Sequence, residues 1–206
     1  THKEQTLDFC YPRDTDEITY FLSRDLLELR LIDPKDHQVK GCLFNCHLKS
    51  KLDPEYIDSQ GKLRRRAEVE VVTKILRETR QQVGPTPFMV LGGDFNGIHS
   101  PQAQAEPEFE AFYKDFDFKE LFEAVQLPQE QRATQIQFQG QKPYPIQIDG
   151  FWLSSNLIEK IEVGSTEVFK FRGDLGVKLP YAKSMSQKWA MPSDHYAVVT
   201  CLSLPA

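Results

Sequence analysis

Apolar and polar residues alternate most clearly at Leu27, Leu29 and Leu31 against Glu28 and Arg30, a period of two that predicts a strand. Asp33-Pro34-Lys35-Asp36 is turn chemistry and predicts a hairpin into a second strand over 38–48. A polar loop over 49–61 follows. The period then changes: Leu63, Ala67, Val71 and Ile75 recur at helical spacing, with Arg and Glu on the other faces, which predicts a helix over 63–82. Gly84-Pro85-Thr86-Pro87 stops it. Phe88-Met89-Val90-Leu91 is then apolar without interruption, the composition of a strand buried on both faces. That run ends abruptly in Gly92-Gly93-Asp94-Phe95-Asn96.

Further along, a loop over 97–107 is expected to leave His99 exposed and structural. Helices are predicted over 108–113 and 119–125, the second with Phe118, Leu121 and Phe122 as its apolar stripe. Strands are predicted over 134–139 and 146–153, separated by Gly140 and the prolines of Lys142-Pro143-Tyr144-Pro145. Another strand is expected over 161–171, then an irregular segment over 172–192 and a last strand over 196–202. Residues 1–17 read as a loop or edge segment. Many strands, few helices and no internal repeat describe a single domain over 1–206, with stacked sheets and helices outside.

Composition narrows the possible partners. The 206 residues are 40% hydrophobic and 27% charged, with a formal net charge of −5. Such a balance argues against indiscriminate coating of polyanions and leaves room for a local basic rim. No apolar run approaches the ~20 residues that span a bilayer. The four cysteines, Cys10, Cys42, Cys46 and Cys201, show no Cys-x-x-Cys spacing. Three of them fall in strand-like runs and read as small core residues, not as zinc ligands.

Polar groups recur at comparable strand ends. Asp94 and Asn96 stand two apart on extended backbone and point the same way, a carboxylate for a proton or a hard cation beside a carboxamide. In Leu43-Phe44-Asn45-Cys46-His47-Leu48, alternation puts Asn45 and His47 on one face; taken alone, His47 reads as a satisfied core histidine. Asp149 interrupts the apolar strand Ile148-Asp149-Gly150-Phe151-Trp152-Leu153, where a carboxylate needs a specific partner. Ser193-Asp194-His195 sets a cation ligand and a titratable imidazole side by side at the mouth of the last strand.

In this order the four groups resemble the endonuclease/exonuclease/phosphatase family, whose branches include deoxyribonuclease-like proteins, apurinic endonucleases, deadenylases, inositol phosphatases and sphingomyelinases. Asn45-Cys46-His47-Leu48 looks like its Asn-x-His-Leu strand, and Gly93-Asp94-Phe95-Asn96 like its Gly-Asp-x-Asn motif. Ile148-Asp149 with Ser154 is similar to its Ile-Asp…Ser strand, and Ser193-Asp194-His195 to its terminal Ser-Asp-His. Ser23-Arg24-Asp25-Leu26-Leu27 matches a recurring structural strand, so the resemblance covers about residues 20–202. It implies an α+β fold, a four-layer αββα sandwich of two mixed, mainly antiparallel sheets flanked by helices. It also implies divalent-metal-dependent hydrolysis of phosphodiester bonds. In that reading His195 polarises the phosphate or acts as general base, and Asp149 orients it. Asp94 activates water or protonates the leaving oxygen, with Asn96 positioning it. Asn45 and His47 contact non-bridging oxygens. Asp94, Asn96 and Asp194 hold Mg²⁺ or Mn²⁺.

One part of the family pattern has no match. Its members carry an Asn and a metal-binding Glu in an N-terminal part, and residues 1–20 offer only Glu4 and Glu17, both in loop-like sequence. The resemblance therefore predicts a C-terminal portion with an incomplete first sheet and little activity by itself. For substrate, the charges of the 63–82 helix interleave as Arg64-Arg65-Arg66 with Glu68 and Glu70 and read as a solvated face. Residues 164–192 carry Lys170, Arg172, Lys178, Lys183 and Lys188 with Phe169, Phe171, Tyr181 and Trp189, which suits a nucleic-acid strand or a phosphorylated headgroup. The Cys-Asp-Arg motif of inositol phosphatases is missing, so a nuclease acting on DNA or RNA is the leading expectation. A phosphatase or lipid phosphodiesterase on the same fold, and a catalytically incomplete binding module, are the alternatives.

Overall fold

The computed structural model describes residues 1–15 and 18–204; Glu17 lies outside them. Two short strands, β1 (Thr6–Leu7) and β2 (Tyr20–Phe21), precede β3 (Leu27–Ile32) and β4 (Val39–His47). Helix α1 (Lys62–Val83) leads into β5 (Phe88–Asp94). Then come α2 (Glu110–Lys114), β6 (Phe118–Glu120), α3 (Leu121–Ala124) and the hairpin β7 (Gln135–Gln139) and β8 (Lys142–Ile146). The chain closes with β9 (Asp149–Ser154), β10 (Glu167–Val168), α4 (Met185–Trp189) and β11 (Val198–Val199).

The central sheet has five strands in the order β3-β4-β5-β9-β6, with β4 and β5 parallel and the other pairs antiparallel. One face is covered by α1. Its Ala67, Val71, Val72, Ile75 and Leu76 bury against Cys42, Phe44 and Cys46 of β4 and Met89 and Leu91 of β5. The helix starts where Gly61 takes a left-handed φ of 64°. A Cβ there would lie 2.3 Å from the Ser50 carbonyl oxygen. The buried Asp58 carboxylate accepts from the amides of Leu63 and Arg64 at 2.9 and 3.0 Å, serving as the helix's N-terminal cap. On the opposite face of the sheet, Val90 and Leu153 pack against Ile136 of β7, Val168 of β10 and Tyr196, which precedes β11. These are a mixed α+β architecture and a mixed sheet, as expected.

Several expectations are corrected, among them the irregular 172–192 segment, which contains α4, and Cys201, which is exposed and not a core residue. Residues 118–120 form a strand, not the start of a helix: they pair with β9, and Phe118 and Glu120 are buried on alternate positions. The proline-bearing 142–146 segment is also a strand, tolerated because β8 pairs only with β7 and leaves its other edge free. The strands expected over 161–171 and 196–202 are reduced to β10 and β11, with a single bridge between Ile161 and Leu202. His99 is fully buried, not exposed. The four cysteines are free thiols: Cys42 and Cys46 are buried in β4, while Cys10 and Cys201 are exposed.

Candidate active site

Sheet register brings distant residues together. His47, the last residue of β4, is the register partner of Asp94, the last of β5, and Asp94 is the partner of Asp149, the first of β9. Partners in register share a face, so one row across three strands presents an imidazole and two carboxylates. The row has this shape because Gly93 lets β5 approach β4 closely: its φ is 142°, and a Cβ there would meet the Cys46 carbonyl oxygen at 1.9 Å.

Each side chain is held from behind. Asp94 Oδ1 accepts the Asn96 amide at 2.8 Å, an Asx turn with Asn96 at a left-handed φ of 53°. The Asn96 carboxamide nitrogen donates to the Leu48 carbonyl at 3.0 Å and to Asp94 Oδ2 at 3.1 Å, which leaves its oxygen for a cation or water. Both Asp149 oxygens sit on His195 Nδ1, at 2.9 and 3.1 Å. His47 Nε2 lies 3.4 Å from Asp94 Oδ2.

The environments push these groups apart electrostatically. The hydrogen bond that His195 donates to Asp149 holds the His195 pKa above its ordinary value, against the opposing effect of burial. Burial, and then the negative charge of Asp149, raise the Asp94 pKa. Burial, reinforced by Arg24, lowers that of His47. Ligand atoms of Asp94, Asp149 and His195 all lie within 4.8 Å of one another. Asn45 and these three line a cleft of about 460 Å³, together with the apolar Phe151, Phe171 and Val198.

Asn45, His47, Asp94, Asn96, Asp149 and His195 are thus placed around one end of the sheet. Asp194 is placed differently: it is 53% exposed, and its carboxylate faces Lys188 Nζ at 3.4 Å, apart from the three-residue cluster. Glu4 is exposed in a turn, and no buried glutamate joins the cluster among the described residues. Sequence reasoning missed two supporting residues. The Thr134 hydroxyl accepts the amides of Ile148 and Asp149, each at 3.0 Å, while its carbonyl accepts the Tyr196 amide at 2.8 Å. One threonine therefore ties down both halves of the Asp149–His195 pair. The Gln135 side-chain amide lies 2.7 Å from His195 Nε2 and holds the far side of the same imidazole. In sequence both are ordinary residues of a predicted strand.

No protein-family model matches the chain, and no curated protein sequence matches it significantly. Solved structures do. A truncated TDP2 from Caenorhabditis elegans is 17% identical, covering 96% of this chain and 65% of its own, with a TM-score of 0.52. The catalytic domain of Xenopus laevis APE2 is 15% identical over 86% of this chain and 54% of its own, at a TM-score of 0.54. A mannosyl-6-phosphatase from Bacteroides thetaiotaomicron is 18% identical over 86% and 56%, at 0.53. The chain thus spans 54 to 65% of the length of these three structures. At such low identities the likeness speaks for architecture: the chain has the endonuclease/exonuclease/phosphatase fold.

Proposed function

We propose that this site hydrolyses phosphate esters, phosphodiesters of nucleic acid in particular, by in-line attack of water on phosphorus. The observation that carries the reading is the Asp149–His195 pair facing Asp94, an imidazole fixed by one carboxylate across from a second whose proton affinity is raised. Asp149 commits both oxygens to His195 and so orients it; Asp94 and the free Asn96 oxygen form the harder donor set for Mg²⁺ or Mn²⁺. Asp194 joins that set on release from Lys188. A bound cation would supply charge neutralisation at the phosphoryl oxygens.

The residues divide the remaining work. Asp149 raises the proton affinity of His195, and in its protonated form His195 acts through Nε2 as the donor to a non-bridging oxygen. Asp94 takes the proton of the attacking water as the new P–O bond forms and the bond to the leaving oxygen breaks. Asn96 holds that water, and Asn45 and His47 contact the other phosphoryl oxygens from the same face. For substrate, Lys170 Nζ sits 4.2 Å from the Tyr181 ring centroid, and Trp189 is 76% exposed one residue after Lys188, an aromatic and cationic rim suited to a nucleic-acid strand.

A panel of DNA and RNA oligonucleotides, a sugar phosphate and a phospholipid, each with Mg²⁺ and with chelator, tests this. Metal-dependent oligonucleotide cleavage is the expected result. Cleavage of the sugar phosphate or lipid alone would redirect the reading to a phosphatase or lipid phosphodiesterase. Binding without cleavage of any substrate would make the chain a binding module.

A further inference from the structure

Behind the catalytic row lies a buried histidine that the proposed chemistry does not use. His99, in the loop after β5, is fully buried; neither ring nitrogen makes a well-aligned hydrogen bond among the described residues, and the main chain of Asp149 lies near enough to act on the ring. Its ring centroid is 4.3 Å from that of Phe95, the residue between Asp94 and Asn96. Phe109 and Trp152 close the cage at 6.3 and 6.0 Å. On the other side the ring meets Gly150: a Cβ there would lie 2.9 Å from His99 Cε1 and 3.1 Å from Nε2. One imidazole therefore contacts the residue that follows each aspartate, and those two aspartates are register partners across β5 and β9.

Stability alone does not account for a histidine here. A buried polar atom without a partner costs roughly 1–3 kcal/mol, and a phenyl ring would fill the same aromatic cage without that cost. Burial pushes the His99 pKa down to about 3, so the ring is neutral and keeps one N–H; the main chain of Asp149 is the group that opposes this shift. The Asp149 amide donates to Thr134, so the main-chain group left to meet the His99 N–H is its carbonyl. Unsatisfied polar groups retained in a core are characteristic of sites shaped by function.

We propose that His99 is a positioning residue, wedged between Phe95 and Gly150 with its N–H directed at the Asp149 main chain, and that it sets the spacing of Asp94 and Asp149 and the hold of Asp149 on His195. The inference rests on the reading of Asp94, Asp149 and His195 as the reacting set. Two variants separate positioning from packing: His99→Phe keeps the ring without an N–H, and His99→Gln restores a donor. Thermal unfolding and the low-field imidazole N–H resonance of His195 are followed at fixed pH in metal-free buffer, alongside kcat and KM.

His99→Phe should unfold at or above the wild-type temperature, lose the low-field His195 resonance, and lower kcat roughly ten- to hundredfold at unchanged KM. His99→Gln should recover part of both. A folded His99→Phe protein with an unchanged His195 resonance overturns the proposal. Should His99→Phe fail to fold, the wild-type spectrum decides. A ring-nitrogen coupling from His99 to the Asp149 carbonyl supports the proposal, and a His99 ring free of any hydrogen bond overturns it. The spectra do not depend on turnover, so a protein inactive on every phosphoester would sink the hydrolase reading while leaving His99 to be judged separately.

Discussion

His195 feels opposing influences: the Asp149 carboxylate favours its charged form and burial disfavours it, with the carboxylate winning. Its folded pKa lies above the ordinary 6.5. The pairing therefore stabilises the fold fully below that value, and the contribution is lost as pH rises through the folded pKa. In Asp149→Asn the largest raising influence is gone and burial is opposed only by the charges of Asp94 and Asp194, so histidine NMR in metal-free buffer should find His195 titrating below its wild-type value; an unchanged titration would refute the assigned cause. Gly93 makes a backbone prediction: Gly93→Ala should cost roughly 3 kcal/mol or more in urea unfolding, because the added carbon meets the Cys46 carbonyl at a φ open chiefly to glycine. At this scale much of the candidate site was legible. Asp94, Asn96, Asp149 and His195 are polar groups interrupting or ending apolar runs, and such interruptions show in a linear sequence. Thr134 and His99 did not show, because what marks them out is what they touch across 15 and 51 residues of chain respectively.

Among the elements, α1 was the easiest to read, since a helix of 22 residues repeats its apolar spacing many times. Its N-terminal cap comes from Asp58, four residues before the helix, and Asp58→Ala should lower stability by about 0.5–2 kcal/mol, seen as a lower urea midpoint at unchanged slope. The failures are equally physical. Phe118-Lys119-Glu120 is too short for a period of two to be distinguished from the first turn of the helix that follows, and only its pairing with β9 decides. Pro143 and Pro145 argue against a strand in isolation, yet a free edge needs no donors from them. β10 and β11 keep only two paired residues each, with Glu167 opposite Val199 and Val168 opposite Val198, so the apolar character of their surroundings overstated their length.

For the molecule as a whole, the resemblance read from four short motifs and the architecture agree: a mixed five-stranded sheet carries its polar ends into one cleft, and structures sharing the fold superimpose on most of the chain. The formal charge of −5 places any nucleic-acid contact on a local rim and not on the surface at large. Lys170 over Tyr181 and the exposed Trp189 supply such a rim beside Asp194 and His195. The central claim, that a metal-assisted Asp94/Asp149/His195 site hydrolyses phosphodiesters, is tested most directly by single-turnover cleavage of a labelled oligonucleotide with Mg²⁺, by the wild-type protein and by His195→Ala. The account predicts cleavage that chelator abolishes and that His195→Ala reduces roughly hundred- to ten-thousandfold, the range of a group acting on the proton or charge of the transition state. Cleavage by His195→Ala at the wild-type rate, or a wild-type rate indifferent to chelator, would contradict it.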